Sequence, residues 1–154
     1  MSIVHMYNPS QSPDIESRKG IIRLICDQPN INIGDPFNIN FDVSILFKII
    51  EQYRNVDDTV IFFIHHSDAS INVINNKFKN NWPQNIYVIF YSGEGVYAQD
   101  LDNMKSLKAW FPSGISEGSE QYDKLVSAVK AAAIGNVDNF KNIDINKALI
   151  YAAD

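Results

Sequence analysis

Cysteine is nearly absent. The one thiol, Cys26, cannot form an internal disulfide, so the expected setting is cytoplasmic. Cys26 closes the apolar run Ile21-Ile-Arg-Leu-Ile-Cys26 and reads as a small buried residue rather than a nucleophile. Long apolar runs are missing too: none approaches the roughly 20 residues of a membrane span. The start, Met1-Ser-Ile-Val-His-Met6, has no basic region ahead of its apolar segment, which argues against a secretory signal. Basic residues are few, 13 against 18 Asp and Glu, for a net charge of −5. They are scattered, as at Lys77, Lys79, Lys105 and Lys108, without the basic stripe that nucleic-acid phosphates require. Direct nucleic-acid binding is therefore not expected. There is also no Gly-x-Ser-x-Gly elbow, no Walker loop and no Gly-x-Gly-x-x-Gly after a strand.

What remains is an ordinary globular balance, 45% apolar and 20% charged over 154 residues. That length suits one domain with one core. The expected domain is 1–135, irregular over 8–20 and 27–41. A tail over 136–154 is read as a short helix, over Ile145 to Ala153, or a linker.

Strands are expected at Ile3–Tyr7, Ile21–Cys26, Thr59–His65, Ile86–Tyr91 and Ala109–Phe111. The third and fourth are apolar at consecutive positions, as strands covered on two faces should be. Asp42 is placed to cap a helix through about Arg54, with Val43, Leu46, Phe47, Ile50 and Tyr53 at helical spacing. Further helices are expected over Ala69–Lys79 and about Ala98–Lys108. The last and best formed has Ser119 as N-cap, a stripe of Tyr122, Leu125, Val126 and Val129, and Gly135 to close it. From Asp42 onward helix and strand alternate, which implies parallel strands joined by right-handed crossovers. The expected fold class is α/β, a three-layer doubly wound, mainly parallel five-stranded sheet. The stretch from Asp27 to Phe41 reads as a long loop with two prolines, uncommon unless it binds something or covers a sheet edge.

Ligands in such sheets bind beyond the carboxyl ends of the strands. Those ends supply Asn8, Asp27, His65, His66, Asp68, Ser92 and Glu94. Two imidazoles beside carboxylates suit acid–base or metal chemistry near neutral pH. Adjacent residues at a strand end point to opposite sides, however, and Asp68 also suits a helix N-cap. Glu94 fits equally a polar residue in a glycine turn.

The stretch Ile86-Tyr-Val-Ile-Phe-Tyr-Ser-Gly-Glu-Gly95 is followed by Gln99-Asp-Leu-Asp-Asn-Met-Lys-Ser-Leu-Lys108, then Ala109-Trp-Phe111, then Gln121-Tyr-Asp-Lys-Leu-Val-Ser-Ala-Val-Lys130. From Thr59 to about Ala133 this order resembles a response-regulator receiver domain, a flavodoxin-like fold. The resemblance implies that Ser92 matches the hydroxyl that reads a phosphoryl group. It implies that Trp110 or Phe111 matches the aromatic whose rotamer reports activation. Other functional positions depart from the pattern. Ile64 or His65 stands where the phosphoacceptor aspartate should close the third strand. Ser113 or Gly114 stands where a lysine should follow the fifth. Tyr7-Asn8-Pro9 offers none of the acids that hold magnesium, which leaves Asp27 alone as a candidate. Aspartyl phosphorylation needs a carboxylate nucleophile, and magnesium needs hard oxygen ligands.

The expectation is thus a pseudo-receiver: a non-enzymatic signalling module acting through protein contacts, with no cofactor, no metal and no catalytic residue. Its surface would include Ser92, Trp110, Phe111 and Tyr122, and its partner would be another protein or a second copy through the last helix and strand. The competing expectation is a small hydrolase or metal-dependent enzyme built on Asp27, His65, His66, Asp68, Ser92 and Glu94.

Overall fold

The computed structural model describes residues 1–7, 15–27, 31–39, 42–65, 76–77, 82–91, 108–111 and 118–142. Its sheet holds six strand segments: β1 (Ser2–Tyr7), β2 (Asn32–Ile33), β3 (Phe37–Asn38), β4 (Val60–His65), β5 (Ile86–Tyr91) and β6 (Lys108–Phe111). The order is β2-β1-β4-β5-β6, with β3 also on β1, and every pairing is parallel. Four helices accompany it among the described residues: α1 (Ile15–Ile25), α2 (Val43–Arg54), α3 (Glu120–Ala133) and α4 (Val137–Asn142). None is long and apolar enough to cross a membrane.

The centre of the sheet follows from its sequence. Val60-Ile-Phe-Phe-Ile64 has no polar residue, and each of the five is 0% exposed. A strand dry on both faces needs covering layers on both sides. In register, Val4, Phe62 and Val88 form one row, and His5, Phe63 and Ile89 form the next, on the opposite face. Tyr53 of α2 meets Phe62 edge-on at 5.9 Å, whereas Phe140 of α4 meets Tyr87 edge-on at 5.0 Å. Phe62 and Tyr87 belong to opposite faces, so α2 and α4 cover different sides. α3 packs against α1 and α4.

Two helices behave as their patterns predict. Asp42 caps α2, accepting from the Ser44 N–H at 2.9 Å. Ser119 caps α3, accepting from the Tyr122 N–H at 3.2 Å. Gly135 follows α3 with φ +71°, the left-handed region that favours glycine. Between α2 and β4 the chain is held by Asn85. Its side-chain Nδ2 donates toward the carbonyls of Tyr53 at 2.9 Å and of Val56 and Asp58 at 3.2 Å. This one amide ties the end of α2 to the strand start of β5 and so sets where β4 begins.

The amino-terminal third corrects the sequence reading. Ile21–Cys26 lies at the end of α1 and is not a strand. Ile22, Ile25 and Cys26 are buried while Arg23 and Leu24 are exposed, a helical period that the dense isoleucine run conceals. Room for the crossover after β1 exists because these residues belong to it. The true second strand position is the segment read as a loop. Asn32 and Ile33 pair with Ser2 and Ile3, and Phe37 and Asn38 pair with Met6 and Tyr7. Between them Gly34-Asp35-Pro36 spans only Val4 and His5, so three residues oppose two in a bulge.

At the other end of the chain the packed unit runs past residue 135. Phe140 of α4 is fully buried and belongs to the core. The helix expected over Ile145–Ala153 lies outside the described residues. So do most of the helices expected at Ala69–Lys79 and Ala98–Lys108. Asn76 and Lys77 are helical, and Lys108 opens β6.

Phe140→Ala should remove an edge-to-face ring contact and leave a core cavity. We expect a loss of about 3–5 kcal/mol in urea-unfolding stability. An unchanged midpoint would show that the region after Gly135 is not part of the cooperative unit.

Candidate functional site

The carboxyl ends of the strands form the first place to look. There β1 ends at Tyr7, β3 at Asn38, β4 at His65, β5 at Tyr91 and β6 at Phe111. His65 is in register with Tyr91, and Tyr91 with Phe111. The strands leading into the His65–Asp68 and Ser92–Glu94 stretches therefore end side by side. His66, Asp68, Ser92 and Glu94 themselves lie outside the described residues, as does Asn8. Trp110 and Phe111 are in β6, paired with Phe90 and Tyr91. Among the described residues no group of three His, Cys, Asp or Glu is close enough to hold a metal ion.

Asp27 does not belong to this edge. It follows helix α1 rather than a strand, is exposed, and lines the groove between α1 and α3. Its company there is Leu24, Tyr122, Asp123, Val126 and Lys130, around a volume of about 410 Å³. The groove owes its shape to the two helices. Tyr122, in the first turn of α3, is half-buried, and its hydroxyl donates to the Leu24 carbonyl at 3.3 Å. That carbonyl is in the last turn of α1 and also accepts from the Asp27 N–H at 3.4 Å. Tyr122 thereby ties the helices together at the rim and leaves Leu24 beside it 47% exposed.

A second, smaller hollow of about 280 Å³ sits where the edge strand is interrupted. Ser2, Val4, Asp35, Phe37 and Tyr53 are on its wall. His5, at 2% exposure, is the buried polar residue of the described core. Its ring is 6.3 Å from that of Tyr7 and tilted by 52°. Sequence reasoning missed His5 because a single polar residue in a short strand normally marks a wet face. It missed Leu24, Asp123 and Lys130 because they join a surface only once α1 is a helix.

Cys26 is 2% exposed, and burial pushes its thiol up to about 12. A thiol so placed is a poor nucleophile, because the thiolate is the reacting species.

No family model matches the chain, no curated protein is similar to it, and no solved structure matches its fold.

A thiol reagent such as Ellman's should leave Cys26 unmodified in the folded protein at pH 8 and react fully once it is unfolded in guanidinium. Rapid reaction of the native protein would reopen Cys26 as a functional group.

Proposed function

We propose that the chain is a receiver-like protein-interaction module of the flavodoxin-like, three-layer doubly wound type, with no phosphotransfer chemistry. The observation that carries the reading is the residue closing β4. The third strand position of a receiver ends in the phosphoacceptor aspartate, and here it ends in His65. Counting the broken edge segment as the second strand, the strand order is 2-1-3-4-5, that of the flavodoxin-like group. Topology supports the resemblance, while the residue types argue against its usual chemistry.

An imidazole at that position cannot become an acyl phosphate, which requires a carboxylate nucleophile. The magnesium ligands of a receiver would follow the first strand, and the sequence there is Asn8-Pro9. Asp27 is no substitute, since it follows α1. The lysine that would balance an acyl phosphate has Ser113 or Gly114 in its place. A scaffold of this kind works by contact. The last strand and last long helix carry the aromatic residues for it, Trp110, Phe111 and Tyr122, with Ser92 as the remaining hydroxyl of the switch. Tyr122 supports this most directly, because it is only half-buried and borders an open groove.

Incubation with beryllofluoride and magnesium, followed by fluorine NMR, tests the reading. The expected spectrum is that of the free fluoroberyllates with no protein-bound resonance. A saturable bound signal that one aspartate substitution abolishes would overturn it.

A further inference from the structure

The groove between α1 and α3 has a charge pattern suited to one particular partner. On α3, Glu120 and Lys124 neutralise each other in an i,i+4 ion pair of 3.1 Å. Asp123 and Lys130 are also exposed, yet neither forms an ion pair among the described residues. They are seven residues apart, nearly two full turns, so they lie on the same outward line of the helix about 10 Å from each other along the axis. That is too far for an internal pair. Ser127 and the half-buried Val126 occupy the middle of the interval, and both are small enough for another helix to approach closely.

We propose that this face binds a second copy of the chain, with the two α3 helices antiparallel about a two-fold axis near Val126 and Ser127. Under that operation Asp123 of each copy meets Lys130 of the other. One pattern of two opposite charges thus yields two equivalent cross-pairs, the self-complementarity that an isologous interface requires. Leu24 and Val126 supply apolar surface beside the pairs. A foreign partner would need its own matching spacing, whereas a second copy has it by symmetry. The net charge of −5 opposes association only weakly over distance, because repulsion between charges farther apart than roughly 8 Å is largely screened at physiological ionic strength. The inference rests on the contact-module reading and names its partner.

Charge reversal on the full-length chain is the test, read by sedimentation velocity over a concentration series. Asp123→Lys puts two lysines on the line, and Lys130→Asp puts two aspartates there. Each variant alone should self-associate about tenfold or more weakly than the original chain, since like charges then face each other. Mixed in equal amounts, the two variants should form a heterodimer of about the original affinity, because every cross-pair is again opposite in sign. Recovery in the mixture also shows that both variants are folded. A chain that is monomeric throughout the series would overturn the proposal, as would a dimer that single reversals leave unchanged. Either result leaves the beryllofluoride outcome, and with it the contact-module reading, untouched.

Discussion

Everything in this molecule depends on β4 being held between β1 and β5 with water excluded from both faces. Its five leading residues have only apolar side chains, so the polar groups of that stretch are all main-chain and find their partners in the neighbouring strands. Pairing and burial are therefore one event. The ladder satisfies the backbone only if β1 and β5 lie alongside, and the side chains are dry only if helices close both faces. α2 approaches through Tyr53 on Phe62 and α4 through Phe140 on Tyr87. α2 thus rests on β4 itself, and α4 rests on its neighbour β5.

The beginning and end of β4 then govern the carboxyl edge of the sheet. Asn85 sets the beginning by binding three carbonyls around the α2–β4 turn. A strand of fixed start and fixed register has a fixed last residue, and His65 closes it opposite Tyr91. A one-residue slip would exchange the two faces of the strand and turn Phe62 away from Tyr53 of α2. Which residue stands at the strand end is therefore set by core packing far from it.

Much of the fold was legible where one signal dominates. Val60–Ile64 and Ile86–Ile89 are too short and too apolar to be anything but buried strands. Asp42 and Ser119 mark helix starts through side-chain oxygens that accept main-chain N–H bonds. Legibility failed where two signals compete. In Ile21–Cys26 the β-branched residues favour a strand, while the spacing of Ile22, Ile25 and Cys26 favours a helix, and the need for a crossover after β1 settles it. In Ile31–Ile39 apolar and polar residues alternate with period two on each side of Gly34-Asp35-Pro36, but the proline makes the whole segment read as a loop. The candidate surfaces were less legible still. Tyr122 was visible as part of a helical stripe, whereas Leu24 became its neighbour only through a contact between residues 98 positions apart. Such pairings leave no local trace.

The interruption at Gly34-Asp35-Pro36 has a consequence for the molecule in a crowded solution. A sheet that ends in a long, regular, apolar strand presents a row of free hydrogen-bonding groups to any other chain and invites edge-to-edge growth. Here the terminal position is cut into two pieces of two residues each. Between them lie a glycine without a side chain to pack, a charge, and a proline without a hydrogen to donate. An incoming strand would find no run of donors and acceptors long enough to template on. The bulge that hid the second strand from view thus also guards this edge of a very apolar sheet against strand addition.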